Sequence, residues 1–316
     1  MRERVKPDLS RPPDFTSFWD DTLAELARVP VGLSQTDPDL WGPVDQSVAN
    51  VSLRGLQFDS LAGARINAYY LAAADSPHTI VHAHGYGSQC DVRWDWAAQG
   101  LNVLGVDIRG FGRSAMAVPN RARQGYVLTG IQSPETSILR GAVCDYIRAT
   151  EVAALLKSKQ SDTSLSLHGV SFAGGLALMA EALTQAADVL TVGVPTFGWV
   201  TGRHFYASAG SGGEVRDYLA AHPEFTHDTS LVLSYFDSMN FAAQVSCPTL
   251  VGLGLIDDVV PAKTVFAIAN HLGGPHEVMQ FPISHSEHPD EALWQGFDQR
   301  CVDLALHGAG PDFGKP

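Results

Sequence analysis

The chain has 316 residues, 45% of them hydrophobic, and its 21 basic against 34 acidic residues give a formal net charge of −13. This balance, with no basic cluster, argues against nucleic acid and anionic membrane surfaces as partners. Because the N-terminus lacks a secretory signal, no apolar run reaches membrane-spanning length, and four scattered cysteines show no metal or disulfide spacing, we expect a cytoplasmic protein with reduced thiols.

The first part of the chain is predicted to begin with a helix and to continue as strands. Aromatic residues at helical spacing indicate a helix from about Pro12 to Arg28, within an N-terminal helical extension over about residues 13–43. A further helix is expected around residues 91–98. Short apolar runs indicate four strands, over residues 48–58, 64–72, 79–83 and 101–106.

The second part of the chain alternates helices with strands. Helices are predicted over about 135–157, from Leu176, and from about Asp290. Strands are predicted over residues 165–170, 189–194, 251–255 and 278–281. This alternation favours one α/β domain over residues 1–316, with a mostly parallel sheet and helices on both faces. Residues 195–245 break the pattern and are predicted to form a helical insertion near the mouth of the sheet.

A motif typical of a nucleophilic serine lies between the strand at 165–170 and the next helix. The segment Gly169-Val170-Ser171-Phe172-Ala173 is a variant of G-x-S-x-G, in which the serine occupies a tight, strained turn and faces a pocket. Gly169 supplies the small residue needed before the serine, and Ala173 replaces the second glycine. We predict Ser171 as a nucleophile; the alternative is an ordinary turn with a surface serine.

A serine nucleophile needs a base to take its proton and an acid to orient that base. On this kind of sheet the order along the chain is Ser, Asp or Glu, then His. Asp257 and His285 each follow a predicted strand in that order, so we predict a triad of Ser171, Asp257 and His285. Asp258 and His288 are the alternatives to the second and third members, and they stay open.

Two backbone amides are expected to stabilise the oxyanion that forms when Ser171 attacks a carbonyl. One comes from the residue after the nucleophile, Phe172, and one from the loop after an earlier strand. That loop reads His84-Gly85-Tyr86-Gly87-Ser88, and it offers the Tyr86 amide. Its glycines let the backbone turn an amide inward.

Other polar residues have simpler interpretations. His82 and His84, two apart on a strand, could form part of a metal pair, but no third ligand lies nearby, so we predict no metal and no cofactor. His168 is interpreted as a hydrogen-bonded core histidine. Arg109 is predicted to anchor loops through bidentate hydrogen bonds rather than to contact substrate.

Taken together, these segments resemble the acetyl xylan esterase and cephalosporin C deacetylase family of carbohydrate esterases. The likeness covers nearly the whole length. The matching segments are Pro13-Asp14-Phe15 with Phe18-Trp19, His84-Gly85-Tyr86-Gly87, Asp107-Ile108-Arg109-Gly110, Leu139-Arg140-Gly141 with Asp145, Tyr235-Phe236-Asp237 with Asn240-Phe241-Ala242, and Gly254-Leu255-Ile256-Asp257-Asp258.

The resemblance implies an α/β-hydrolase fold, deacetylation of small esters and a homo-oligomer, and it agrees with the predicted triad and amide donors. The chain departs from the family pattern at three places. Phe111 stands where the family has Gln, Phe172-Ala173 where it has Gln then Gly, and Ser286 where Glu follows the catalytic histidine. These changes alter the walls of the site without removing a catalytic atom.

The sequence therefore predicts a serine esterase that hydrolyses short-chain acetyl esters of sugars or similar small molecules through an acyl-enzyme. One alternative keeps the triad but cuts another bond, as a peptidase or a carbon–carbon hydrolase does. A second is a non-catalytic binding protein on the same fold, since fold alone does not fix function.

Overall fold

The structure is a computed structural model that describes residues 5–123, 125–156, 163–283 and 291–314. Within these ranges the chain forms one nine-stranded sheet. The strands, in chain order, are β1 Ser34–Thr36, β2 Val51–Ser60, β3 Ala64–Ala73, β4 His78–Ala83, β5 Asn102–Asp107, β6 Ser164–Val170, β7 Val189–Gly193, β8 Thr249–Gly254 and β9 His276–Phe281.

The sheet is mostly parallel, as predicted. Its strand order is β1-β2-β3-β5-β4-β6-β7-β8-β9. The contacts from β1 to β5 are antiparallel, whereas β5, β4, β6, β7, β8 and β9 run parallel to their neighbours. The carboxyl ends of the parallel strands meet at one edge, which is where ligands bind in open sheets of this kind.

Helices cover both faces of the sheet. Adjacent residues on β4 show this arrangement, because Val81 packs in the cluster that holds Leu139 and Leu176, while Ile80 packs with Trp96 and Val302. The helices are α1 Phe15–Arg28, α2 Trp94–Ala98, α3 Ile138–Leu156, α4 Phe172–Thr184, α5 Val200–Tyr206, α6 Gly210–Ala221, α7 Thr226–Ser234, α8 Ser238–Ala242, α9 Ala262–Ala269 and α10 Glu291–His307.

The N-terminal helix is fastened to the segment that joins α7 to α8. The Trp19 indole N–H donates to the Tyr235 carbonyl at 3.1 Å, and the Tyr235 hydroxyl donates to the Asp14 carboxylate at 2.5 Å. The rings of Phe15 and Phe241 meet edge to face at 4.9 Å. Sequence segments more than 200 residues apart therefore form one packed aromatic contact.

The elements differ from the predicted ones at a few boundaries. Strand β1 has no counterpart among the predicted strands, because its three residues are polar, Ser34 and Gln35 are exposed, and the strand pairs only with β2. Helix α4 begins at Phe172 rather than Leu176, since the chain enters the helix directly after Ser171. Helix α2 has five residues and is shorter than expected.

Two expectations from composition concern the chain as a whole. All four cysteines are buried with free thiols. No helix within the described ranges combines the length and the apolar composition of a membrane-spanning helix.

Candidate active site

Ser171 lies at the carboxyl end of β6 in the strained turn that its motif predicts. Its φ of 58° and ψ of −113° are unusual for a residue with a side chain, and it occupies the N-cap position of α4. Its N–H donates to the Gly193 carbonyl at 2.8 Å, and its own carbonyl accepts from the amides of Gly175 and Thr196 at 3.1 and 3.2 Å. These bonds hold the turn in place.

Gly169 is required by the close passage of β6 and α4. A Cβ atom added at this position would lie 2.3 Å from the Ala173 backbone, closer than any real contact. Because the obstacle is backbone rather than a flexible side chain, neither partner can rotate away.

We therefore expect Gly169→Ala to destabilise the fold by roughly 3 kcal/mol, at the upper end for overpacking. Urea unfolding monitored by circular dichroism measures this loss. Gly296→Ala is the matched control, because Gly296 is exposed on α10 and nothing lies within 4 Å of an added Cβ. The control variant should be at least as stable as the wild type, and equal stability of both variants would contradict the packing argument.

Strained backbone also occurs beside Ser171, in the loop after β7. Val194, Phe197 and Trp199 all have positive φ, at 38°, 69° and 54°. Such conformations cost on the order of 1–3 kcal/mol each for residues with side chains. Since β7 is the neighbour of β6, the strain is concentrated around the candidate nucleophile.

Asp257 lies in the loop after β8 at the same edge of the sheet. It is 7% exposed, and its Oδ1 accepts hydrogen bonds from the amides of Val259 and Val260 at 2.8 and 2.7 Å. These bonds fix the direction of the carboxylate. Asp258, in contrast, is half-buried, and its carbonyl accepts from the Ser208 amide at 2.8 Å, which ties it to the loop between α5 and α6.

The predicted base His285 and its alternative His288 lie outside the described residues, as does Ser286. The chain just before them is described. The Ile256 amide donates to the Ile283 carbonyl at 3.3 Å, so the segment leaving β9 runs beside the loop that carries Asp257. The pairing of β8 with β9 thus brings the chain after β9, as far as Ile283, beside the loop that carries Asp257.

Tyr86 lies in the loop after β4, and its N–H donates to no other described residue. The His84 side chain stabilises this loop through two hydrogen bonds. Its Nδ1 donates to the Gly85 carbonyl at 2.8 Å, and its Nε2 accepts from the Ile108 amide at 3.1 Å. Burial lowers the pKa of His84, which keeps the ring neutral as this bonding pattern requires.

Phe172, the first residue of α4, is fully buried. Its ring packs against those of Tyr86, Phe111, Tyr126 and Phe197, with centroids 5.6 to 5.9 Å apart. The amide of a first helical residue has no acceptor inside the helix, so it can serve a ligand. Phe111 and Phe172, where the sequence analysis predicts departures from the family pattern, contact each other in one apolar cluster.

The buried histidines have structural partners. His82 lies against Tyr69 and Trp96, whereas His84 lies against Phe111 and Phe172. The two rings do not share one strand face, because β4 ends at Ala83 and His84 lies in the loop that follows. No group of three or more His, Cys, Asp or Glu side chains suited to a metal occurs among the residues that the structure describes.

His168 is the core histidine that the sequence predicts. It is 4% exposed, and its Nδ1 lies 2.9 Å from the Thr191 hydroxyl. Burial lowers the pKa of His168 to about 4, so the native ring stays neutral in mild acid.

Stability is expected to fall as the pH drops from about 6.5 to about 4. In that window an unfolded histidine binds a proton while native His168 does not, so protonation favours the unfolded chain. Urea unfolding at pH 7.5, 5.5 and 4.5 measures the slope. His168→Asn should show a shallower slope, and the exposed His227→Asn the wild-type slope. A His168→Asn slope equal to that of the wild type would overturn the prediction.

Arg109 anchors loops, as predicted. Its Nε and Nη2 donate to the two carboxylate oxygens of Asp145 at 2.9 and 2.7 Å. Nη2 also donates to the Ser60 hydroxyl and the Leu61 carbonyl. Gly141 makes room for this pair, because a Cβ there would lie 2.1 Å from the guanidinium. The pair joins the loop after β5 to α3 and to the turn between β2 and β3.

Glu214 on α6 is a residue that sequence reasoning missed. Its Oε2 accepts a 2.5 Å hydrogen bond from the Tyr86 hydroxyl. The two residues are 128 positions apart, and no local pattern connects them. Only the path of the insertion, which returns α6 to the loop after β4, could have revealed the contact.

The fold and the Ser171 turn define the class of the protein. A mostly parallel sheet with a strained serine between strand and helix is the architecture of α/β-hydrolases. The family model for acetyl xylan esterase (AXE1) matches residues 3–296. The chain therefore belongs to the acetyl xylan esterase family.

Known proteins agree with this placement. Acetyl esterase Axe7A of Xylanibacter ruminicola is 21% identical over 293 residues, which cover 89% of this chain but 65% of that protein. This chain thus spans just under two thirds of the curated relative's length. The acetyl xylan esterase of Paenibacillus sp. R4 is 25% identical, with a TM-score of 0.81 over 94% of this chain and 98% of that one.

Two further structures share the fold. Acetyl xylan esterase 1 of Thermoanaerobacterium sp. JW/SL YS485 is 22% identical, with a TM-score of 0.83 over 96% of this chain and 97% of that one. A puromycin-hydrolysing peptidase of Mycobacterium tuberculosis is 17% identical, with a TM-score of 0.63 over 85% of this chain and 41% of that one. These likenesses concern the fold alone.

Proposed function

We propose that this protein is a serine esterase that hydrolyses acetyl and other short-chain esters, with acetylated sugars or similar small molecules as substrates. The observation that carries the proposal is the strained turn at Ser171, held at the carboxyl edge of the sheet in a chain of the acetyl xylan esterase family. Such a turn stores strain, and a surface serine without a catalytic role has no need of it.

In the proposed reaction the Ser171 Oγ attacks the ester carbonyl carbon while His285 takes the hydroxyl proton. The negative oxygen of the tetrahedral intermediate is bound by the amides of Tyr86 and Phe172. His285 then returns the proton to the leaving alcohol, which leaves an acetyl group on Ser171. A water, deprotonated by His285, attacks the acyl carbon; the bond to Ser171 Oγ then breaks, acetate leaves, and His285 returns the proton to Oγ.

Asp257 is the group that orients His285 in this scheme. Its buried carboxylate, fixed by two amides, supports the role, because an orienting acid must not rotate while the imidazole gains and loses a proton. The ionised Asp257 also stabilises the imidazolium that forms after the first proton transfer.

Labelling and hydrolysis together test the proposal. A fluorophosphonate should add one adduct, which peptide mass spectrometry maps to Ser171. Hydrolysis of nitrophenyl esters should fall from acetate to butyrate to octanoate, and acetylated sugars should be cleaved. Faster cleavage of octanoate would overturn the short-chain preference. Preference for aminoacyl amides would favour a peptidase. Folded protein that shows no labelling and no hydrolysis would favour a binding protein.

A further inference from the structure

The loop that carries Tyr86 receives little restraint from its own backbone. Gly85 and Gly87 flank Tyr86, and glycine restricts φ and ψ less than any other residue. The Ser88 amide donates to the Gly85 carbonyl at 3.2 Å, closing a turn in which Gly87 has a φ of +76°. The turn does not use the Tyr86 N–H. The Gly85 carbonyl lies in the same peptide plane as the Tyr86 N–H, so the Ser88 amide and the His84 ring restrain that plane from the carbonyl side, and the flanking glycines leave the Tyr86 side to be restrained by its side chain.

The Tyr86 side chain supplies a second restraint, because its hydroxyl makes two hydrogen bonds. It donates to Glu214 Oε2 at 2.5 Å and accepts from the Val127 amide at 2.9 Å. Burial, together with the bond to Glu214, raises the pKa of Tyr86, so the hydroxyl keeps its proton and remains a donor. The ring itself packs between Phe111 and Phe172.

The chain makes room for Glu214 at this position. A Cβ at Gly125 would lie 2.1 Å from Glu214 Oε2, and Gly125 has a φ of +154°. Glu214 is half-buried on α6, inside the insertion after β7. Arg203 on α5 is buried nearby, and the charge of Glu214 acts on its guanidinium. The Glu214 carboxylate thus packs beside Gly125 and reaches the Tyr86 side chain from the insertion.

We propose that Glu214 is a positioning residue for ester hydrolysis, which acts through the Tyr86 hydroxyl to hold the Tyr86 backbone N–H toward the oxyanion. The inference rests on the proposed function, since it assigns the Tyr86 amide to the oxyanion. It gives the insertion a role in the site, because Glu214 on α6 sets the geometry of the loop after β4. A misdirected amide loses most of its effect in the transition state, where the negative charge develops.

The test compares Glu214→Ala with Glu214→Gln. Glu214→Ala removes the acceptor, and we expect kcat for nitrophenyl acetate to fall about 10- to 100-fold with KM changed less than about threefold, below the loss for deleting a donor outright. Glu214→Gln keeps an acceptor oxygen and should retain most of the activity. Asp217→Ala is the matched control on the same helix, because the Asp217 side chain is 73% exposed, and it should behave as wild type.

Tyr86→Phe provides an independent route, because it removes the hydroxyl and keeps the ring. It should cost about as much as Glu214→Ala, and the double variant should cost no more than either, since one interaction is lost in all three. Affinity for a trifluoromethyl ketone, which mimics the tetrahedral adduct, should fall in parallel with kcat/KM. If Glu214→Ala does not fold, Tyr86→Phe decides the question.

Failure of the proposed function and failure of the positioning role give different results. If wild-type protein neither hydrolyses acetate esters nor reacts with a fluorophosphonate, the proposed function fails. If wild type is active but Glu214→Ala or Tyr86→Phe keeps kcat within twofold, or raises only KM, the positioning role is overturned. Losses that add up in the double variant would overturn it as well.

Discussion

Replacing Ser171 with alanine should abolish ester hydrolysis while leaving the fold intact. The variant removes one oxygen and no backbone bond, and alanine adopts the same strained turn with no added bulk. Loss of the nucleophile from a triad of this kind lowers kcat by roughly 10⁴- to 10⁶-fold. The measurement is the initial rate of nitrophenyl acetate hydrolysis, at protein concentrations high enough to detect a residual rate.

A matched serine separates chemistry from general damage. Ser52, exposed on β2, is the control, and Ser52→Ala should keep the rate within a few fold. Thermal unfolding of both variants should resemble that of the wild type. A Ser171→Ala protein that is folded and hydrolyses acetate at the wild-type rate would remove the basis of the proposed mechanism.

Replacing Arg109 with methionine should destabilise the fold far more than the loss of a surface ion pair. The change leaves the Asp145 carboxylate, which is 0% exposed, without its charge partner. Breaking a buried pair by removing one member costs about 3–5 kcal/mol, because the remaining charge is neither solvated nor compensated. Urea unfolding at neutral pH measures the loss.

A second substitution tests this reason. The double variant Arg109→Met with Asp145→Leu leaves no buried charge, so it should be less destabilised than the sum of the two single variants. Arg216→Met is the surface control, because Arg216 and Asp217 form an exposed pair worth less than about 1 kcal/mol. Strict additivity of the two buried substitutions would show that the pair is not coupled.

Much of the fold could be predicted because its strands have strong local patterns. The apolar runs of β4 and β5 are buried on both faces, and their order with the intervening helix is enough to predict a parallel sheet. Strand β1 has no such pattern, since its three residues are polar and its place in the sheet comes from backbone pairing with β2. Helix α4 begins four residues before its predicted start, because helix propensity alone does not reveal a helix that begins at a strained serine.

The sequence predicts those site residues that come directly after a strand. Ser171 and Asp257 each lie after a predicted strand, and the structure places both at the same edge of the sheet. The roles of the triad and of the two amides stay predictions, and His285 lies outside the described residues. Glu214 could not be predicted, because its contact with Tyr86 depends on how the insertion folds back.

The strained segment around Ser171 has a consequence for heat tolerance. Ser171, Val194, Phe197 and Trp199 all hold backbone conformations that relax as soon as their surroundings loosen. We expect local opening of this segment to precede melting of the sheet, so that warming abolishes the proposed activity while most of the secondary structure survives. Substitutions that restrain the loop after β7, where Val194 and Phe197 belong to the core cluster, are therefore expected to raise heat tolerance most.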